Sequence, residues 1–234
     1  MNLITRHVFN PVRDFIYPPL CFVCKRRLEP DEDRVCTSCW KLCVTVDGTH
    51  SVCQLLRSKF AAEGYVSDFI SCFLFEKEGV FQEIIHLLKY RGVKSVGIQL
   101  GRKIGIRKNN DIFPRADFLV PIPLHRRKKR ERGYNQSNYI CRGISEVTGI
   151  PVCTSILFRS KDTKSQTLLD MQQRKENVSG AFTIKEKHIP YLQDKIVILV
   201  DDVITTGSTI NACAKVLLQR HATKIFAASA ALAA

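Results

Sequence analysis

The sequence lacks any apolar run of the about 18 residues that suggest a membrane span. Its first 20 residues carry scattered charges and prolines with no continuous apolar core, so we expect no signal peptide. We also find no internal repeat and no low-complexity tract. These absences argue against membrane-spanning, secreted and repeat proteins. With 45% hydrophobic and 25% charged residues among 234, the chain is expected to be globular.

Acidic residues are scarce as well, because 22 Asp and Glu stand against 36 Lys and Arg, a formal net charge of +14. An excess of this size favours anionic partners such as nucleotides, nucleic acid or an anionic membrane surface. Ten cysteines without a signal peptide are typical of the reducing cytosol, where paired cysteines bind metal more often than each other. We therefore expect a cytoplasmic protein.

Two Cys-x-x-Cys pairs near the start of the chain predict a structural Zn²⁺ site. Eleven residues separate the pairs, and a segment this short needs the metal in order to fold. A redox dithiol and an eroded site are the alternatives. Cys43 and Cys53 are either remnants of another site or replacement ligands. The predicted ligands are Cys21, Cys24, Cys36 and Cys39.

Beyond the cysteines, the apolar pattern divides the chain into three parts. A zinc-finger module covers residues 1–50, a connecting or hood segment of one strand and two helices covers 51–115, and a core covers 116–234. In the connecting segment, the second helix is expected at about 93–107, with a basic outer face. Such a face is usually only solvated.

The most informative stretch runs from Ile196 to Thr209. Five apolar residues predict a buried strand, Asp201 and Asp202 follow, and a hydroxyl- and glycine-rich loop leads into an amphipathic helix. Unpaired backbone N–H groups at a helix N-terminus bind phosphate, and Gly207 would let the backbone approach the anion. The alternative is a turn in another doubly wound protein, with the acids binding Mg²⁺ or capping the helix.

This stretch resembles the 5-phosphoribosyl-1-pyrophosphate (PRPP) motif of type I phosphoribosyltransferases. The resemblance implies that Asp201 and Asp202 hold the ribose hydroxyls and stabilise positive charge at the anomeric carbon. It also implies that the loop binds the 5-phosphate. The expected phosphate ligands are Thr205, Thr206, Gly207, Ser208 and Thr209.

A basic segment follows the expected strand at residues 118–123, with six cations in seven residues. A phosphoribosyltransferase has its pyrophosphate loop there, and His125, Arg126 and Arg127 would face a pyrophosphate bridged by Mg²⁺. The surplus cations suggest a second anion, for which single-stranded DNA is the candidate, or only a solubilising loop. The nucleic-acid candidates are Arg102, Lys103, Lys128, Lys129, Arg130 and Arg132.

The polar segment 159–179 lies between two expected strands. A segment of this length is typical of a lid, which would keep water away from a reactive sugar cation. An ordinary surface hairpin or helix is the alternative.

Together these parts resemble the ComF (GntX-like) family of late competence proteins. Besides the cysteine pairs and the paired-acid loop, the matching segments are 85–92, 121–125, 130–136, 164–166, 174–177 and 180–182. The resemblance implies an α/β protein with a type I phosphoribosyltransferase fold, a small mostly parallel sheet flanked by helices, and an N-terminal four-cysteine zinc finger.

For function, the resemblance implies a cytoplasmic role in natural transformation. The protein would handle incoming single-stranded DNA with a helicase-like partner and recombination proteins. Two hypotheses remain open: an enzyme that transfers phosphoribose to an unknown acceptor, in DNA uptake or in nucleotide salvage, and a non-catalytic module that senses PRPP or a nucleotide and binds DNA.

Overall fold

We describe a computed structural model that covers residues 18–107, 111–159 and 181–233. It contains seven α-helices and six strands in these ranges, with 3₁₀ turns at Phe113–Arg115 and Glu186–Leu192. The helices are α1 (Thr37–Lys41), α2 (Ser51–Glu63), α3 (Val80–Tyr90), α4 (Lys94–Gly105), α5 (Arg126–Arg132), α6 (Gln136–Thr148) and α7 (Ser208–Leu218). The strands are β1 (Asp68–Phe75), β2 (Phe118–Pro121), β3 (Leu157–Arg159), β4 (Phe182–Ile184), β5 (Ile196–Ile204) and β6 (Lys224–Ala233).

Four strands form a parallel sheet in the order β1-β6-β5-β2, and β3 and β4 form a separate antiparallel pair. The sheet is flanked by helices, as the sequence predicts for a type I phosphoribosyltransferase fold. Residues 197–200 of β5 are fully buried because both faces of a parallel sheet are covered. Since the strands run in one direction, the carboxyl ends of all four meet at one edge.

Helices α4 and α6 pack closely on one face of the sheet. Gly101 lies against the Ile140 carbonyl and Gly143 against the Ile98 carbonyl, so that a Cβ at either position would collide with backbone. Val96, Leu100 and Ile104 form the inner face of α4 and are fully buried. This packing fixes α6, whose first turn faces the edge described below.

The cysteine module is joined to the outer edge of β1. The Val46 N–H donates to the Cys72 carbonyl at 3.0 Å, and the Leu74 N–H donates to the Val44 carbonyl at 2.8 Å. Trp40 stacks on Phe73 with ring centroids 5.9 Å apart. The module therefore shares its core with the sheet.

Two predicted elements differ from the structure. Strand β5 continues through Asp201 and Asp202 to Ile204, whereas the sequence places the turn directly after Val200. The segment predicted as a basic loop forms helix α5, because Gly133 ends it in the left-handed conformation and it begins at a side-chain cap. Within the described ranges, no helix is both long and apolar enough to cross a membrane.

Candidate functional site

The two aspartates lie near the carboxyl end of β5, a central strand, and each is held by a different helix. The Ser137 hydroxyl at the start of α6 donates to Asp201 Oδ1 at 3.2 Å. On the other side, Lys89 Nζ in the last turn of α3 lies 3.1 Å from Asp202 Oδ2. The backbone N–H of Asp202 also donates to Asp201 Oδ1 at 2.9 Å. The pair is thus fixed between α3 and α6.

Burial, with the adjacent Asp202 carboxylate, raises the pKa of Asp201 to about 7, while Lys89 and the Ser137 hydroxyl act in the opposite direction. Asp201 therefore changes its charge close to neutral pH. Asp202 is 8% exposed. Two carboxylates this close in a partly dry site attract positive charge, which suits a sugar cation with hydroxyl groups.

The loop after β5 has the exposure expected of a binding loop. Thr205 and Thr206 are exposed, and α7 begins at Ser208 with no side-chain cap. The Thr206 and Ser208 hydroxyl oxygens lie 2.9 Å apart. The first N–H groups of a helix have no intrahelical partner, so this N-terminus offers donors to an anion together with the hydroxyls.

For Gly207, the structure adds a packing reason to the one predicted from sequence, which is the approach of an anion. A Cβ on Gly207 would lie 2.8 Å from Phe60 Cε1 and 3.0 Å from Leu56 Cδ1, both on α2. The missing side chain therefore makes room for α2, and the anion contact stays a prediction. Gly207 also has a φ of 79°, a conformation that favours glycine. Helix α2 of the connecting segment thereby supports the loop.

The three residues expected at a pyrophosphate have different surroundings. His125 caps α5, with its Nδ1 accepting from the Arg127 N–H at 3.2 Å. The Arg127 guanidinium pairs with Glu131 at 2.9 Å. Arg126 lines a pocket of about 470 Å³ together with Lys129 and other residues. Its polar and apolar lining includes Pro121, Pro123, Leu124, Asn135, Asn138, Thr154, Leu157, Phe158, Arg159, Thr183 and Lys185.

The nucleic-acid candidates are divided between two surfaces. Arg126, Lys129 and Arg130 line a second open pocket of about 590 Å³ beside Gly133. Lys128 is exposed on α5, and the Arg132 guanidinium lies 5.3 Å from the Tyr90 ring.

The basic outer face expected for α4 is not as open as predicted. The Lys103 ammonium lies 4.5 Å from the Trp40 ring, and burial lowers the pKa of Lys103. Arg102 is exposed, and its guanidinium pairs with Glu146 at 2.8 Å. Lys103 therefore joins α4 to the cysteine module, and Arg102 joins α4 to α6.

The four predicted zinc ligands converge on one point. All four Sγ atoms lie within 4.8 Å of one another, with Cys21 and Cys39 3.9 Å apart and Cys24 and Cys36 3.7 Å apart. Zinc–sulfur bonds of about 2.3 Å in a tetrahedron place sulfurs about 3.8 Å apart. The Cys36 N–H donates to Cys21 Sγ at 3.3 Å. The donor set therefore fits a structural zinc ion.

Cys43 and Cys53 do not join this centre. The Cys43 thiol donates to the Cys39 carbonyl at 3.4 Å, and both side chains are buried in the apolar core. Within the described part of the chain, no further group of histidine, cysteine or acidic side chains has metal-binding geometry. Apart from Arg159, the segment expected to form a lid lies outside the described residues.

Sequence reasoning did not assign Lys89 or Ser137 to the site. Lys89 lies in segment 85–92 and Ser137 directly follows segment 130–136, and both segments carry the family resemblance. The resemblance therefore marks these positions but assigns neither residue a role. Nothing in those segments indicates which side chain would face an aspartate about 65 to 110 positions further along. The pairing depends on how α3 and α6 pack on the sheet.

Comparison with known families agrees with this geometry. Residues 147–233 match the phosphoribosyl transferase domain, and residues 12–70 match the double zinc ribbon domain. The first match covers β5, the aspartates and α7, and the second contains the four cysteines. With the converging sulfurs, the second match identifies a structural zinc site.

Several curated proteins are similar to this chain. Competence protein F of Haemophilus influenzae is 38% identical over 43% of this chain and 44% of its own length. DNA utilization protein YhgH of Escherichia coli K12 is 29% identical over 61% of this chain and 63% of its own length. Competence protein ComFC of Bacillus subtilis is 24% identical over 86% of this chain and 78% of its own length. The matches to the first two therefore span less than two thirds of those relatives.

Proposed function

We propose that this chain, a member of the ComF family of competence and DNA utilization proteins, binds PRPP beside Asp201 and Asp202 and handles single-stranded DNA in the cytoplasm. The observation that carries the proposal is the aspartate pair at the carboxyl edge of the sheet, directly before an uncapped helix N-terminus. A phosphorylated sugar is complementary to both features, because its vicinal hydroxyls can donate to the aspartates and its phosphate can accept from the helix N-terminus.

In this proposal, each part of PRPP has its own contacts. The ribose hydroxyls donate to the aspartates, and the 5-phosphate accepts from the N–H and hydroxyl groups of Thr205 to Thr209. The pyrophosphate lies toward Arg126, which lines the 470 Å³ pocket. Mg²⁺ bound to the pyrophosphate oxygens would neutralise part of the charge on the leaving group.

The reaction class is displacement at the anomeric carbon. As the bond to pyrophosphate breaks, positive charge develops on the sugar, and the adjacent aspartates stabilise it. An acceptor nucleophile then bonds to that carbon, and pyrophosphate leaves with the electron pair of the broken bond.

A double substitution tests the binding site. Asp201→Asn with Asp202→Asn keeps the shape of both side chains and removes their charge, so we expect the loss of Mg²⁺-PRPP binding while the fold persists. Calorimetry gives the affinity and a thermal melt checks the fold. An unchanged affinity in a folded variant would reject the site.

Single-stranded DNA would lie along α5. Lys129 and Arg130 line the open 590 Å³ pocket beside Gly133, and no acidic side chain is among its described lining residues. Binding would then be independent of sequence and sensitive to salt. Helicase-like and recombination proteins are the partners that the family implies for this step.

The DNA surface is tested by Lys129→Ala with Arg130→Ala. We expect weaker binding and a salt slope reduced by about 1 for each lost phosphate contact. Arg102→Ala is the matched control, since Arg102 is engaged by Glu146 on another helix. An equal loss of DNA affinity in both variants would contradict a DNA strand that lies along α5.

A binding module without turnover has one observation in its favour. Lys89 lies against Asp202, so its positive charge cancels part of the field that would stabilise a sugar cation. Pyrophosphate release from PRPP, measured with a panel of bases, amines and single-stranded DNA, separates the two functions. Steady release supports the enzyme, and saturable binding without release supports the module.

A further inference from the structure

Lys89 forms an ion pair that is largely withdrawn from water. The side chains of Lys89 and Asp202 are 21% and 12% exposed, and the charged atoms lie 3.1 Å apart. An exposed pair contributes little because water screens it, whereas breaking a mostly buried pair leaves an uncompensated charge. This pair is therefore able to affect the phosphoribose site beside it.

The turn that carries Lys89 is held from a separate part of the chain. The Tyr134 hydroxyl donates to the Leu88 carbonyl, one residue before Lys89. Tyr134 is 8% exposed, and Lys94 lies 5.3 Å from its ring. Because both ends of this hydrogen bond are buried, the last turn of α3 is tied to the segment between α5 and α6.

The same segment after α5 also fixes the other aspartate. The Asn135 side chain caps α6, and its Nδ2 donates to the Ile122 carbonyl at 2.8 Å, which ties the helix to the end of β2. Two residues later, Ser137 donates to Asp201. Residues 134–137 therefore position both members of the pair, Asp201 directly and Asp202 through the turn that bears Lys89.

We propose that Lys89 is a positioning residue of the phosphoribose site, the counter-cation that fixes Asp202 in place and limits the negative charge of the aspartate pair. This inference rests on the proposed function, because it assigns Lys89 a role in PRPP binding. The ribose hydroxyls would then meet carboxylates of fixed orientation, and the phosphates of PRPP would meet a site of reduced negative charge.

The groups around the pair define what removal of Lys89 would do. Lys89 faces it from α3, Ser137 and Cys141 from α6, and Cys213 from α7. Lys89 is the cation that the described structure pairs with Asp202. Without that cation, the repulsion between the two carboxylates is less compensated, so the pKa of Asp201 rises further above about 7.

Three lysine variants test the proposal. Lys89→Met keeps the aliphatic stem and removes the charge, Lys89→Arg keeps the charge, and Lys41→Met removes a charge from an exposed position on α1. PRPP affinity is measured by calorimetry with Mg²⁺. The Asp201 carboxyl is titrated in the unliganded protein by ¹³C NMR, with Asp201→Asn identifying its signal.

For Lys89→Met we expect the Asp201 midpoint to rise by about one pH unit or more and PRPP affinity to fall about tenfold or more. Lys89→Arg should stay within about threefold of the wild type, because the positive charge beside Asp202 is retained. Lys41→Met should change neither quantity. An unchanged midpoint and affinity in folded Lys89→Met would overturn the role of Lys89.

The two proposals fail in different ways. If the wild type does not bind PRPP, the proposed function fails, whereas the titration of unliganded protein still decides whether Lys89 controls the pair. If Lys89→Met does not fold, Lys89→Arg decides. A folded Lys89→Arg with wild-type midpoint and affinity supports the counter-cation role, and one that has lost PRPP binding overturns it.

Discussion

The zinc centre and the proposed phosphoribose site are built in opposite ways. All four zinc ligands come from the 19 residues between Cys21 and Cys39, and their sulfurs converge within 4.8 Å. The phosphoribose site takes Lys89 from α3, Ser137 from α6, the aspartates from β5 and its loop support from α2. The first site needs a metal to hold a short segment together, and the second needs the whole fold.

This difference sets the order of effects expected from substitutions. A change at the zinc centre removes the stabilisation of a segment that has little core of its own. A change at the proposed phosphoribose site acts on side chains at one edge of a sheet whose central strand is buried. The four experiments below test this contrast, beginning with the largest expected effect.

Loss of zinc should cost the most. Cys21→Ser with Cys36→Ser removes two buried ligands, so we expect the module to unfold and the melting temperature of the whole chain to fall sharply, because metal-binding energy is folding energy in such segments. Metal analysis should give one zinc per chain in the wild type. Cys43→Ser is the control and should retain it, and zinc loss in Cys43→Ser would make Cys43 a ligand.

Substitution of Gly207 should come next. Gly207→Ala places a Cβ against Phe60 at a φ of 79°, so we expect a loss of about 2–3 kcal/mol in the free energy of unfolding together with weaker PRPP binding. Gly149→Ala is matched, since Gly149 has a φ of 75° and open space around its Cα. For Gly149→Ala, denaturant unfolding should show a loss of about 1 kcal/mol in the free energy of unfolding. Equal losses would leave α2 without a supporting role.

The pH dependence of stability should show that folding raises the pKa of Asp201. Its folded pKa of about 7 lies above the ordinary value of 3.8, so the folded state binds the extra proton between those values. The unfolding free energy of the wild type should therefore fall, relative to Asp201→Asn, as pH rises from about 4 to 7, and the difference should stay constant above 7.

The expected difference above pH 7 is about 1–3 kcal/mol in favour of Asp201→Asn. Melting temperatures of both proteins across this range measure it. Parallel curves would mean that Asp201 has no raised pKa in the folded protein. Asp117→Asn is a contrasting variant, because the backbone N–H of Ile196 lowers the pKa of Asp117 and its stabilisation is lost only as pH falls through acid values.

The smallest effects are expected on α4. Lys103→Ala removes the cation over Trp40 and should cost about 1 kcal/mol, which loosens the contact between the module and α4. Arg102→Ala removes an exposed ion pair and should cost about 0.5 kcal/mol or less. Chemical denaturation at low and high salt separates the two, since only the exposed pair should be screened strongly.

The two regions also differ in how far sequence alone could predict them. The zinc ligands follow from spacing, because a Cys-x-x-Cys turn sets the distance between its own sulfurs. The aspartates and the hydroxyl loop follow from a continuous strand–loop–helix pattern. In each case the residues that act together are close in sequence.

What could not be predicted depends on packing between distant elements. Lys89 meets Asp202 across 113 positions, and Ser137 meets Asp201 across 64. The direction of the missing Gly207 side chain depends on where α2 lies, and the shielding of Lys103 depends on where the module docks. Hydrophobic periodicity assigns faces to elements, but it does not say which elements become neighbours.

The backbone hydrogen bonds at Val44 and Val46 have a consequence for the protein in solution. They occupy part of the outer side of β1, which is the first strand of the sheet order and would otherwise present unpaired N–H and carbonyl groups. An open strand of this kind is a template for pairing with a second chain. Chelation should therefore promote self-association, so that the availability of zinc governs the solubility of the protein as well as its folding.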